Sequence, residues 1–348
     1  MARTPFAVAA DDPIAWHDPK DTGIEGKGWS ETKRFYDRLP GKAEGVVRDA
    51  VWGLSRHSAG MCFDFETDAT TISARWSLLS ASLAMPHMPA TGVSGLDLYA
   101  QDEKGVWRWV SVAKPSAQNN ETTLISGLKP GSRRYRVYLP LYNGTESVQI
   151  GVSKDAAFKM HKPRAEKPIV FYGTSITHGA CASRPGMPHP AILGRWLNRP
   201  VLNLGFSGNG KMEKEVAELL AELDPCIYVI DCLPNMDAKL VTANTEPLVK
   251  ILRKARPTTP IVLVEDRSNT NAVWLPARQA HHAASRAALR KAFDHLTADG
   301  VKHLSYIEGE PLLGDDGEAA TDGSHPSDLG FMRQAKHMHK ALEPLLKQ

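Results

Sequence analysis

The chain reads as an α/β protein in which an antiparallel β-sandwich precedes a domain built on a five-stranded parallel sheet. Three observations carry this. Short β-type runs recur at regular spacing from about residue 45 to 155, with turn signals between them. Beyond a polar linker, apolar strands alternate with helical stretches. A length of 348 residues exceeds a single typical core.

Residues 1–44 are read as an N-terminal segment. Its start, Met1 to Pro13, has one basic residue and an apolar stretch broken by Pro5 and Asp11. It lacks the ~7–15 residue apolar core of a secretory signal, which implies a cytoplasmic chain as given, or a periplasmic or secreted one if a signal was removed. The sandwich is expected over 45–161. Its strands are marked by Gly60 to Phe65, Thr71 to Trp76, Gly95 to Ala100 and Arg134 to Leu139, and its turns by Lys129-Pro130-Gly131 and Asn143-Gly144. Trp107 and Trp109 share one face of a further strand, as core, rim or sugar platform. The linker Lys162 to Lys167 opens the second domain, 162–348. Strands are expected near 168–172, 200–204, 226–231, 260–264 and 303–306, with helices between and a last helix from about 327.

Composition narrows the class. With 42 basic and 39 acidic residues the net charge is +3 and no long basic run occurs, so neither nucleic acid nor an anionic membrane is implied as partner. No stretch approaches the ~18 apolar residues of a membrane span. Four cysteines, Cys62, Cys181, Cys226 and Cys232, are too scattered for a disulfide scaffold. The paired histidines His281-His282 and His337-x-His339 lack the i, i+4 spacing of a metal helix and read as solvated helix positions, so no metal is expected. Gly208-x-Gly210-Lys211 lacks the spacing of a phosphate loop.

The run Ile169 to Gly179 carries the chemistry. An apolar strand breaks on Gly173, and Ser175 follows two residues later, where its Oγ can stand clear of the sheet edge. Gly-x-Ser also occurs in ordinary turns. Near the other end, Asp322-Gly323-Ser324-His325 places a carboxylate and an imidazole on one turn. Asp322 can fix the His325 tautomer and leave Nε2 to take the Ser175 proton. Two further polar turns follow expected strands. Gly208 offers a backbone N–H and Asn235 a side-chain amide, so both can join the Ser175 N–H as oxyanion donors.

In the order Ser, Gly, Asn, Asp-x-x-His these blocks resemble the SGNH (GDSL-like) hydrolase family over roughly 167–348. Thr174 replaces the Asp of the family's Gly-Asp-Ser. Leu233-Pro234-Asn235-Met236 lacks the Gly and final Asp of its third block. Gly95-Leu96-Asp97-Leu98-Tyr99 resembles the sandwich domain of one bacterial branch of SGNH esterases. The resemblance implies a flavodoxin-like three-layer domain and a serine esterase without cofactor. Its expected substrate is a small-molecule or oligosaccharide ester, most simply an acetylated or acylated carbohydrate. An acyltransferase using the same triad and an inactive carbohydrate-binding protein are the alternatives.

Overall fold

The computed structural model describes residues 13–347. The reading of Met1 to Asp12 as lacking a secretory signal lies outside them. No helix among the described residues is long and apolar enough to cross a membrane.

The first unit is a sandwich of two antiparallel sheets. One has four strands in the order β1 (Ile14–His17), β8 (Thr145–Ser153), β3 (Thr71–Leu78), β6 (Asn119–Ser126). The other has five, β5 (Trp107–Val112), β4 (Asp97–Gln101), β7 (Arg133–Tyr138), β2 (Cys62–Thr67), β9 (Phe158–Met160). Alternate residues such as Phe63, Phe65, Ile72, Ala74, Trp76, Val137 and Ile150 fill the space between the sheets. Strand β1 falls in the stretch read as a separate N-terminal segment, and it pairs with β8 along Ile14–Ser153. Two short helices, α1 (Asp49–Ser55) and α2 (Ala90–Val93), lie outside the sheets.

The second unit is a parallel sheet in the order β11 (Val201–Gly205), β10 (Ile169–Gly173), β12 (Ile227–Asp231), β13 (Ile261–Val264), β14 (Leu304–Ile307). These strands are near-continuous apolar runs because both faces are covered. One face packs on α5 (Lys214–Glu222), α6 (Ala238–Ala255) and α7 (Pro276–Ala298) through Leu220, Leu248, Leu252 and Leu289. Leu39, Ala43, Val47 and Val51 join this core from the N-terminal side. The other face packs on α4 (His189–Trp196) and α8 (Asp328–Leu342), together with Ala59, Met88, Val93 and Leu141. The two units therefore share apolar cores.

The chain leaves β10 for β11 on one side and then crosses to β12 on the other. The C-terminal end of β10 is thus a topological switch point, where open α/β sheets form crevices. The one-turn helix α3 (Ser175–His178) starts there.

One histidine departs from expectation. His282 is 3% exposed and not solvated. It lies on the buried stripe of α7 with Ser285, Leu289, Ala292 and Leu296, a 3-4-3-4 spacing, and its Nε2 stands 3.5 Å from an Asp266 carboxylate oxygen.

Candidate active site

Thr174 caps α3, its Oγ1 accepting from the Ile176 N–H at 3.2 Å, so the Thr that stands where Asp was expected is a competent cap. Ser175 is the first helical residue and its N–H has no intrahelical acceptor. Its carbonyl accepts from the Gly179 and Ala180 N–H groups, both at 2.9 Å, and from the Tyr142 hydroxyl at 3.2 Å.

Ser175 Oγ lies 2.8 Å from His325 Nε2, and His325 Nδ1 lies 2.7 Å from Asp322 Oδ2. An ionised carboxylate only accepts, so Nδ1 carries the proton and Nε2 is left to accept from the serine. Asp322 Oδ1 takes the backbone N–H groups of His325 at 2.8 Å and Ser324 at 3.1 Å. Partial burial pushes the Asp322 carboxyl up, but these N–H donors and the imidazole outweigh it and hold the group below the ordinary carboxylate value. The turn is pinned from outside by the Thr270 N–H, which donates to the Gly323 carbonyl at 2.8 Å.

The loop after β11 starts beside the end of β10, where the Phe206 N–H donates to the Gly173 carbonyl at 3.0 Å. Gly208 has φ of +68°, a conformation that favours glycine, and a Cβ there would meet nothing within 4 Å, so the backbone borders open space. Among the described residues its N–H has no acceptor. The Asn235 amide fits best with Oδ1 accepting from the Asn209 and Gly210 N–H groups, at 3.0 and 3.2 Å, which frees Nδ2 from the loop. Arg48 holds the loop from outside, donating to the Asn209 side chain at 2.7 Å and to its carbonyl at 2.9 Å.

Several groups at the site carry no sequence signal, because their partners are far away in the chain. Arg38, 1% exposed, donates to the Asn203, Gly205, His57 and Leu54 carbonyls at 2.6 to 3.0 Å, beneath the start of the Gly208 loop. Burial lowers its pKa to about 9. Asp231 ends β12 and accepts both bonds of Arg267 Nη2, at 2.8 and 2.9 Å, and one from Thr177 Oγ1 at 3.3 Å. From the sandwich, Met85 and Met88 close a tight turn by mutual N–H to carbonyl bonds of 3.0 Å. Its tip carries His87, whose ring centre is 5.9 Å from that of His325.

Cys181, Asp322 and His325 place possible metal-ligand atoms within 4.8 Å of one another. The set suits a metal poorly. Both imidazole nitrogens already have partners, and burial pushes the Cys181 thiol up to about 11, against the thiolate a metal needs. A separate open cavity of about 660 Å³ lies behind the loop 268–274, lined among others by Trp274, His282, Arg286 and Asp316. It touches neither Ser175 nor His325.

Four histidines shielded from water weaken the fold in acid. His178 Nε2–H donates to the Leu141 carbonyl at 2.7 Å, its ring stacks on Tyr142 at 4.1 Å, and its Nδ1 has no partner. Burial holds His178 and His189 well below the ordinary imidazole value and takes His57 to about 3 and His282 to about 4. The unfolded chain binds protons these sites refuse, so their contribution is complete above ~6.5 and is lost as pH falls below it. Each adds a slope on the order of 1.4 kcal/mol per pH unit, opposed by Asp266, which burial raises to about 6 and which takes up a proton on folding there. Urea unfolding is expected to give a stability that drops by a net three protons' slope from pH 6 to pH 5, four imidazoles less Asp266. A flat or rising profile would contradict neutral burial of these imidazoles.

Comparison with known proteins identifies the family and the fold. Residues 166–343 match the GDSL-like lipase/acylhydrolase family, and residues 14–158 match the domain described as the N-terminus of SGNH-hydrolase-type esterases. A solved structure from Bacteroides ovatus ATCC 8483, described as a GDSL-like lipase, is 34% identical with a TM-score of 0.91, over 96% of this chain and 98% of that one. The salicylyl-acyltransferase SsfX3 of a tetracycline biosynthetic pathway shares the fold at 20% identity and TM-score 0.76, over 96% and 98% of the two chains. A family two carbohydrate esterase from Clostridium thermocellum, solved with cellohexaose, shares it at 14% identity and TM-score 0.59, over 83% and 93%. No curated protein matches the chain. The match over the whole parallel-sheet unit, joined to one over the sandwich, shows that this chain belongs to the GDSL-like lipase/acylhydrolase family.

Proposed function

We propose that the chain is a serine esterase that removes an acetyl or similarly small acyl group from a carbohydrate. The observation that carries this reading is the unbroken hydrogen-bonded chain from Ser175 Oγ through His325 to Asp322, at 2.8 and 2.7 Å, on the switch-point edge of the sheet. His325 Nε2 takes the Ser175 proton as Oγ bonds to the ester carbonyl carbon. The carbonyl pair moves onto oxygen, which the Ser175 and Gly208 N–H groups and Asn235 Nδ2 receive, each worth about 3 kcal/mol of barrier. The intermediate collapses, the C–O bond to the alcohol breaks, and the alcohol leaves with the proton from Nε2. Water then gives its proton to Nε2 and bonds to the acyl carbon, and the bond from that carbon to Oγ breaks as Nε2 returns the proton to Ser175, releasing the acid with no cofactor in the cycle.

The carbohydrate rests on two supports. Trp274, on the short turn that follows Thr270, is 80% exposed and offers an apolar face within one loop of the Asp322–His325 turn. The fold neighbour solved with cellohexaose is itself a carbohydrate esterase. We also assign 45–161 with β1 to the accessory unit and 162–348 to the catalytic one.

A fluorophosphonate probe is expected to label Ser175, and p-nitrophenyl acetate to yield acetate. Mass spectrometry with added alcohols separates hydrolysis from acyl transfer, since transfer gives the new ester. No label and no acyl release would overturn the reading. The rate is also expected to fall on acidification, because only a neutral imidazole can take the Ser175 proton, and His57, at about 3, and His178, lower than its ordinary value, stay neutral. A flat profile from about pH 5 to 8 would contradict His325 as the base.

A further inference from the structure

The Gly95 to Tyr99 stretch takes no part in the steps above, yet its buried polar groups reach a loop of the parallel-sheet unit. Asp97 is 0% and Tyr99 4% exposed. Asp97 Oδ2 accepts from Arg184 Nη1 at 2.9 Å and from the Gly186 N–H at 2.8 Å, while Oδ1 accepts from Trp109 Nε1 at 3.0 Å. The Tyr99 hydroxyl accepts from the same Arg184 nitrogen at 2.5 Å. The Arg184 guanidinium lies 5.3 Å over the Tyr99 ring and 5.1 Å over that of Trp109. A Cβ at Gly186 would come within 2.5 Å of the Tyr99 ring, so the loop lies directly on the motif.

Arg184 and Gly186 belong to the loop 179–188 that joins α3 to α4. At its start, Gly179 and Ala180 donate to the Ser175 carbonyl. At its middle, Ser183 donates through N–H and Oγ to the Asp328 carboxylate at 3.0 and 2.5 Å, and its carbonyl accepts from Thr91 Oγ1 of the sandwich unit at 2.7 Å. Asp328 opens α8 three residues after His325. One loop therefore touches the nucleophile turn, the start of the helix behind the base, and the sandwich motif.

We propose that Asp97 and Arg184 form a positioning pair, by which the Gly-x-Asp-Leu-Tyr strand clamps this loop and sets the separation of Ser175 from His325. The proposal rests on the esterase reading of the site. Neither residue touches the reacting atoms. Their effect is transmitted through the Gly179–Ala180 and Ser183–Asp328 contacts, and a displacement of about 1 Å between reacting groups can cost roughly 10²-fold in rate.

A purely structural tie would lower stability alone. Arg164 supplies the comparison, since it pairs with Glu25 by two bonds of 2.7 Å and joins the linker to the sandwich side without contacting loop 179–188. Full-length Arg184→Ala, Asp97→Asn, Tyr99→Phe, the double variant Asp97→Asn/Arg184→Ala and Arg164→Ala are to be assayed on p-nitrophenyl acetate, with melting temperature and hydrogen exchange measured on each. Arg184→Ala is expected to lose roughly 10- to 100-fold in kcat with KM within about twofold, and to recover part of it with guanidinium in the buffer. The double variant is expected to be no worse than Arg184→Ala, the mark of a coupled pair. Amides of 179–188 and 323–328 are expected to exchange faster in Arg184→Ala and not in Arg164→Ala, which loses melting temperature but keeps kcat.

If folded Arg184→Ala keeps kcat within about twofold of wild type, or if Arg164→Ala matches its loss, the clamp is overturned. If Arg184→Ala does not fold, the shape-conserving Asp97→Asn and Tyr99→Phe are expected to show the same kcat and exchange changes, and unchanged values in both would overturn it. Failure of the esterase reading shows separately, as a wild type that neither labels nor turns over, and the exchange comparison still decides the clamp.

Discussion

Ser175→Ala is expected to lower kcat on p-nitrophenyl acetate by roughly 10⁴-fold or more, while the melting temperature moves by only a few degrees. The rate loss follows from the role of Oγ. Without it no acyl-enzyme forms, and His325 and the oxyanion donors are left to assist direct attack by water. The small stability effect follows from the surroundings. The Ser175 backbone, held by Gly179, Ala180 and Tyr142, is untouched by the substitution. The only side-chain bond lost is the one to His325, whose side chain is 24% exposed, so water can replace the serine at Nε2. A bond exchanged for one to water is worth about 1 kcal/mol. Retention of more than a tenth of wild-type kcat by a purified, folded variant would remove Ser175 as nucleophile. A variant that loses both activity and fold would leave the reading to fluorophosphonate labelling of the wild type, which tests the same hydroxyl.

The parallel sheet was legible because its strands are buried on both faces. Runs such as Ile169 to Gly173 and Ile227 to Asp231 are continuous apolar segments that end on turn residues, and they form the strands β10 and β12 within one residue of expectation. Asp322 and His325 were legible for a different reason, since a carboxylate and an imidazole three residues apart can meet within one turn whatever the rest of the chain does. What stayed hidden depends on distant partners. Strand β1 is defined by a ladder to β8, more than a hundred residues on, and Arg38 by carbonyls at Asn203 and Gly205. Nothing within a local window around Arg38 marks it as buried. Arg184 is hidden in the same way, although its partners Asp97 and Tyr99 belong to the Gly-x-Asp-Leu-Tyr motif that the sequence displays. His282 reads as solvated because its stripe on α7 includes Ser285 and Ala292, whose small side chains weaken the apolar period that marks a buried face.

Asn235→Ala is expected to lower kcat by roughly 10²–10³-fold with KM little changed and the melting temperature within a few degrees. Asn235 closes the short helical turn Leu233–Asn235 after β12, and Pro234 fixes that turn without help from the Asn side chain. The turn's own backbone bonds, Asn235 N–H to the Cys232 carbonyl at 3.1 Å and Met236 N–H to the Leu233 carbonyl at 2.9 Å, survive the substitution. What is lost is the side-chain amide. Its Oδ1 accepts from the Asn209 and Gly210 N–H groups, but both of these also donate to the Phe206 carbonyl, at 2.8 and 2.9 Å, so neither is stranded. The structural cost is therefore small. The catalytic cost is large, because Nδ2, with Oδ1 anchored on the loop, is a donor held in place before the oxyanion develops, and a donor that needs no reorganisation acts mainly on the transition state. That is why kcat and not KM carries the loss. Asn235→Asp is the sharper companion. It keeps the shape and the acceptor but sets a negative charge where the oxyanion forms, so it is expected to be at least as slow as Asn235→Ala. If instead either variant keeps kcat in the folded fraction while its melting temperature falls sharply, Asn235 is a turn residue, and the oxyanion is received by the Ser175 and Gly208 amides alone.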